Sequence, residues 1–262
     1  MSLLVLSHFH KDFPVNHNSS WLFPSFAGDK LSFKATDATE EIKDFRHYYV
    51  DVNDEQFYRA MGQQSTEYKL LKSSMELPDY VGCLTYRRYF LLNDQVPQEK
   101  IAKPATQEIA NQFGTEEEKI LIEELFKSYD VITNKNVTFN CSIEQQYLMY
   151  ELPEYWFLFK DGITKLYPEY ESDMSWFTEN NSMHAETNYI MKREYFIKYA
   201  TEFFQILKYV YDNCSKVYPV QDGRCSEINP WRYPGFLGER FLPFFVHANK
   251  LKTKQFPLVI LL

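Results

Sequence analysis

Arg87 and Arg88 stand side by side after Tyr86, at the end of an apolar run in the stretch Pro78–Phe90, PDYVGCLTYRRYF. Tyr80, Val81, Cys83 and Leu84 are the residue types of a buried strand, and the preceding Pro-Asp marks its start. Such a strand lifts two guanidinium groups to its carboxyl end, where open α/β sheets bind their ligands. Guanidinium matches phosphate oxygens through bidentate, charge-assisted hydrogen bonds. The chemistry to expect is therefore a pocket for a phosphorylated ligand. The ordinary alternative is two arginines at a strand end, one reaching solvent and one paired with a carboxylate.

Other residues could join such a site. His8, His10 and Lys11 follow a first apolar run at Leu3–Leu6, as ligand contacts or as a polar loop. Asp54 closes the turn after a second strand expected at His47–Val52. Glu239 and Arg240 lie in an otherwise apolar helix, Gly235–Val246. A carboxylate on such a face is either a buried, paired residue or a general base tuned by burial and by its neighbour.

Several chemistries lack their motifs. The chain has no GxxxxGK[ST], GxGxxG, GxSxG or HExxH, so the standard P-loop, dinucleotide, hydrolase-elbow and zinc-protease readings fall away. With eight glycines, phosphate binding must rest on side chains and helix ends. Asp-x-Asp, a common divalent-ion motif of sugar-nucleotide transferases, is also missing, and Glu171-Ser172-Asp173 reads as a solvated acidic loop.

The elements that must hold these residues alternate. A helix over Glu55–Met75 leads into the Pro78 boundary, and strand–helix–strand order implies a parallel pair with a crossover. Glu116–Ser128 is amphipathic, with Ile120, Leu121, Leu125 and Phe126 expected on its buried face. Tyr129–Thr133 reads as a strand, and Ile143–Tyr150 and Glu154–Tyr167 as helices separated by Pro153. Tyr189–Met191 reads as a strand before a long helix at Glu194–Asn213, whose Phe196, Tyr199, Phe203, Ile206, Leu207 and Val210 recur at helical spacing. The closing FPLVILL is expected as a buried strand or packed tail.

The 262 residues suit a single α/β domain over 1–262. The 18% aromatic content allows a large core. A net charge of −8 argues against a general nucleic-acid binder. Cys83, Cys141, Cys214 and Cys225 show no metal spacing and are expected as free thiols, which fits a reducing, cytoplasmic compartment. No window reaches membrane-spanning length.

Three blocks resemble one family. DYVGCLTYRRYF is similar to its DYIGLxHYRRYF, ETNYIMKREYFIKYATEFFQIL to its NMFIMKKExFxxYCxWLFxIL, and RYPGFLGERFLPFFV to its RxxGYLAERLLxxWI. The family is an uncharacterised domain found in proteins taken for capsular-polysaccharide and exopolysaccharide glycosyltransferases of bacteria. The resemblance runs nearly the whole chain in order. It implies a GT-A-like nucleotide-diphospho-sugar transferase fold, a mixed, mostly parallel sheet flanked by helices, and sugar transfer to a hydroxyl of a surface glycan. The implied partners are a nucleotide sugar, UDP-sugar foremost, and a glycan or lipid-linked glycan acceptor, with peripheral contact to the inner membrane left open. In that frame Arg87 and Arg88 stabilise the leaving nucleotide diphosphate in place of a metal, and Glu239 deprotonates the acceptor. His8, His10, Lys11, Asp54, Tyr86, Asn188 and Arg240 contact the donor, and transfer is inverting. Mn2+ or Mg2+ stays an alternative. Two departures stand out: the family's His before its YRR is Thr85, and another family His falls at Glu151. They keep open a non-catalytic sugar-nucleotide-binding or partner-binding subunit; transfer to modified DNA bases is a third reading.

Overall fold

Leu3–Phe9 is a strand with every side chain buried, the continuous apolar type that a sheet covered on both faces requires. It is β1 of a computed structural model that describes residues 2–9, 13–16, 18–26, 64–72, 75–214 and 232–262. The strand expected at 47–52 lies outside these residues, as do His10, Lys11, Asp54 and Cys225. Next come β2 (Leu22–Phe26) and helix α1 (Gln64–Lys72), the described part of the helix expected before Pro78. The stretch around the paired arginines forms β3 (Tyr80–Thr85), a two-residue turn, and β4 (Arg88–Phe90). Strand β5 (Lys100–Lys103), the short helix α2 (Gln107–Ala110), α3 (Glu116–Leu125), β6 (Val131–Asn134) and β7 (Val137–Thr138) follow. Then come α4 (Ile143–Tyr150), α5 (Pro153–Leu166), a 3-10 turn at Pro168–Asp173 and α6 (Trp176–Glu179). The chain continues through β8 (Ser182–Met183), β9 (Tyr189–Lys192), α7 (Arg193–Asn213) and α8 (Tyr233–Ala248). It closes with β10 (Thr253–Phe256) and β11 (Leu258–Leu261).

Six strands form the main sheet in the order β10-β6-β9-β3-β1-β2. β1 is parallel to β2 and β3, and β10 is parallel to β6. β9 runs antiparallel to both of its neighbours, β3 and β6. The start of β9 therefore lies beside the carboxyl ends of β3 and β6, which makes that edge the natural ligand edge. The fold is the mixed, mostly parallel α/β class expected from the sequence. Gly82 is required for the β3–β9 approach, because a Cβ there would sit 2.6 Å from the Tyr189 carbonyl oxygen.

A smaller sheet, β4-β11-β5, packs beside the first. Its centre is the terminal apolar strand, antiparallel to β4 and parallel to β5. Ile260 pairs with Arg88, and the Leu261 N–H donates to the Arg87 carbonyl at 2.9 Å. The last strand thus fixes the backbone that carries both arginines.

The helical face of the main sheet holds most of the aromatic residues. The α7 stripe of Phe196, Tyr199, Phe203, Ile206, Leu207 and Val210 is buried as its spacing required. Tyr199 and Phe203 stack on Phe241 of α8 at 5.8 and 5.5 Å. Helix α3 corrects an expectation. Its buried face is Ile122, continued by Phe126, whereas Ile120 and Leu121 are exposed. Among the described residues no helix is long and apolar enough to cross a membrane, and Cys83 and Cys141 are free thiols.

Candidate functional site

At the end of β3 the chain turns through Tyr86 and Arg87 before entering β4. Arg87 has φ +68°, in the left-handed region that costs a side-chain-bearing residue about 1–2 kcal/mol. Its guanidinium lies over the Tyr86 ring, 4.6 Å from the centroid, and 6.0 Å from that of Phe13. Tyr86 in turn packs on Phe9 at the end of β1. Cation–π contact orients Arg87 without neutralising it, and its Nε is buried with no hydrogen-bond partner among the described residues.

Arg88 is held differently. Its Nε lies 2.7 Å from Glu186 Oε2, and the other carboxylate oxygen of Glu186 is 2.6 Å from Lys100 Nζ on β5. Glu186 also has a left-handed backbone, with φ +75°. Asn188 ties the arrangement to the sheet: its Nδ2 donates to Glu186 Oε2 at 3.3 Å, and its Oδ1 accepts the Thr85 N–H at 2.7 Å. The β3–β9 register, Cys83 opposite Tyr189, brings these residues to one level. Asn188 is fully buried and bonds at both ends of its amide to the protein, a geometry that positions the loop more directly than it offers sugar contacts.

Helix α8 brings Glu239 into the same field. One third of its side chain reaches solvent. Loss of solvation raises its proton affinity above the usual carboxylate value, and Glu186 adds to the rise, while Arg240, Arg232 and Arg88 oppose it. Arg240 points inward rather than toward solvent. It is buried, donates from Nη1 to Glu239 Oε2 and to the Phe236 carbonyl at 3.0 Å each, and from Nη2 to Gln146 Oε1. Among the contacts expected to reach the donor, Arg240 is the one that the fold places behind Glu239.

His8 lies within β1, not after it, and is buried. Its Nδ1 is 2.9 Å from Thr66 Oγ1, which is 3.0 Å from Ser25 Oγ. The register places His8 opposite both Thr85 and Ser25, so it marks the same sheet edge one strand away from the arginines.

Sequence reasoning missed Glu186 and Lys100, which nothing local marks, and also His184. His184 is buried with Nε2 unpartnered among the described residues, and desolvation lowers its pKa to about 3, so the imidazole is neutral. Glu151, noted only as a departure, caps the end of α4, and burial pushes its carboxyl up to about 7. Among the described residues no group of three or more His, Cys, Asp or Glu side chains is placed to hold a metal ion. What the arrangement can do is bind an oxyanion between oriented guanidiniums and move a proton at Glu239.

Comparison with known proteins bears on family and fold. The profile of a domain of unknown function (DUF4422) matches residues 5–250. No curated protein matches. Among solved structures, the apo form of WbbM, a bifunctional glycosyltransferase, superposes with a TM-score of 0.74 at 20% identity. The match covers 100% of this chain and 45% of that one, so the chain spans less than half of WbbM. The likeness is one of fold.

Proposed function

This chain belongs to the DUF4422 family, and from that premise we propose that it is a glycosyltransferase moving a sugar from a nucleotide-diphospho-sugar to a hydroxyl of a bacterial surface or capsular glycan. The observation that carries the reading is the Tyr86-Arg87-Arg88 turn. It sits at the carboxyl end of β3, where the parallel strands meet antiparallel β9, in a chain whose whole length shares a fold with part of a glycosyltransferase.

In this reading Arg87 and Arg88 hold the donor diphosphate, each charge-assisted hydrogen bond contributing roughly 1.5–3 kcal/mol. Positive charge aimed in advance counts most where negative charge develops, so these arginines act on the leaving group without calling on a divalent ion. Glu239 takes the proton of the acceptor hydroxyl. The acceptor oxygen bonds to the anomeric carbon as the bond from that carbon to the diphosphate oxygen breaks, and the nucleoside diphosphate leaves with the electron pair. A single in-line displacement inverts the anomeric centre. Tyr86 offers a ring for the donor, and Asn188 keeps the arginine turn and Glu186 in register.

Thermal denaturation with UDP-, GDP-, CMP- and dTDP-sugars, with Mn2+ or with EDTA, tests the reading, because a ligand of the folded state raises the Tm by mass action. Stabilisation by one nucleotide class, unchanged by EDTA, is expected. Stabilisation that needs Mn2+ would reassign the arginines, and binding with no turnover of donor would leave a sugar-nucleotide-binding subunit.

A further inference from the structure

Behind Glu239, the end of α4 and the inner face of α8 bring together a group of polar side chains that folding alone does not explain. Ser142 caps α4 reciprocally with Gln145, which sets the register that places Gln146 and Tyr147 toward α8. The Arg240 guanidinium lies over the Tyr147 ring, 5.4 Å from its centroid, and the Tyr233 ring stacks on Tyr155 at 4.2 Å. Tyr147, Glu151, Tyr233 and Arg240 are each more than nine-tenths buried. Yet among the described residues the Tyr147 and Tyr233 hydroxyls, Glu151 Oε2 and Arg240 Nε all lack a hydrogen-bond partner. Buried polar atoms are nearly always bonded, and each orphan costs about 1–3 kcal/mol.

The four residues share one neighbourhood. Glu151 feels the charges of Arg240, Arg232 and Glu239, and Tyr147 those of Glu151, Arg240 and Tyr233. Their chemistry narrows the ligand. Two carboxylates, Glu151 and Glu239, repel an anion, and a buried guanidinium repels a metal ion. An apolar ligand would leave all four atoms unpaired. A polyhydroxyl ring suits the set: each sugar hydroxyl both donates and accepts, so it can donate to Glu151 and accept from Arg240 and the phenols.

We propose that Glu151, Tyr147, Tyr233 and Arg240 Nε form a subsite for the hydroxyls of the acceptor sugar, placed so that one hydroxyl of that ring reaches Glu239. The proposal deepens the glycosyltransferase reading and rests on it. Glu151 is here a recognition residue, not the base.

Saturation-transfer NMR on the full chain, with saturating UDP, tests it using methyl glycosides of galactose, glucose, mannose and rhamnose. At least one glycoside is expected to bind, with affinity falling about tenfold or more in E151Q and several-fold in Y233F. Y233F should keep or raise the Tm, because it removes a buried hydroxyl that lacks a partner among the described residues, and UDP binding should be unchanged in both variants. Absence of glycoside binding to the wild type, or equal binding to wild type and Y233F, would overturn the subsite. UDP is scored in the same samples. The same glycosides are titrated without UDP as well, so failure of UDP to bind would count against the donor reading alone.

Discussion

Glu186 occupies two cations at once, and that gives it a testable sign. Arg88 and Lys100 both lie on its carboxylate, so a diphosphate entering the site competes with it. E186Q should tighten nucleoside-diphosphate binding about three- to tenfold by calorimetry, whereas weaker binding would mean that Glu186 serves to aim Arg88. Glu186 also raises the proton affinity of Glu239. A base works only when deprotonated, so the rate should fall as pH drops through the raised value for Glu239. In E186Q that acid limb should move to lower pH. E239Q should lose at least a hundredfold in kcat with donor affinity unchanged, and an unchanged kcat would remove Glu239 from the reaction. At this scale the arginines and Glu239 were legible because residue type alone marks them. Glu186 and Lys100 were not, because their meaning comes from partners distant in sequence. Arg240 was legible as a cation but not in its direction, which the packing of α4 decides.

Among the elements, α1 departs most from its sequence. QSTEYKLLK opens with polar residues suited to solvent, yet Gln64, Ser65, Thr66 and Glu67 are all buried. Glu67 lies under the sheet beside Cys83 and Tyr189, where desolvation lifts its carboxyl from 4.5 to about 8. The folded state thus holds a proton that the unfolded chain releases, so stability is lost as pH rises from about 4.5 to about 8. E67Q should remove that slope. Its Tm should match wild type near pH 4.5 and exceed it at pH 8.5, by up to roughly 5 kcal/mol of stability; a wild-type advantage at pH 8.5 would contradict this. In α3 the apolar residues of KILIEELF surround the first turns, so periodicity alone could not choose a face. The Thr115–Glu118 capping box, with Glu118 Oε2 also accepting the Gly114 N–H at 2.6 Å, fixes the start, and tertiary contacts bury Ile122 and Phe126. The α7 stripe was legible because its buried residues recur at helical spacing, with Ile197 exposed off that face.

Over the whole molecule, strand and helix order could be read from the alternation of apolar runs and amphipathic stretches; the parallel pair expected from it joins β3 to the strand at 47–52, which lies outside the described residues. The antiparallel insertion of β9 was not legible, because strand direction depends on how long connections cross the sheet. The same holds for the return of the C-terminal strand to β4. That return ties the arginine turn to the end of the chain, so V259D, at a fully buried position of β11, should destabilise the fold by about 3–5 kcal/mol and weaken donor binding together with it. Denaturant unfolding and UDP titration of the same samples would show the two losses in step; a folded V259D chain with wild-type stability would deny β11 its anchoring role.

In the proposed reaction, paired guanidiniums stabilise the departing nucleotide diphosphate. The measurement that tests it most directly is release of nucleoside diphosphate from the stabilising nucleotide sugar in EDTA, compared between wild type, R87A and R88A. Turnover in the wild type with a loss of at least tenfold to a hundredfold in kcat/KM in each variant is the predicted result. Turnover unchanged by either substitution, or turnover that appears in all three proteins only when Mn2+ replaces EDTA, would contradict it.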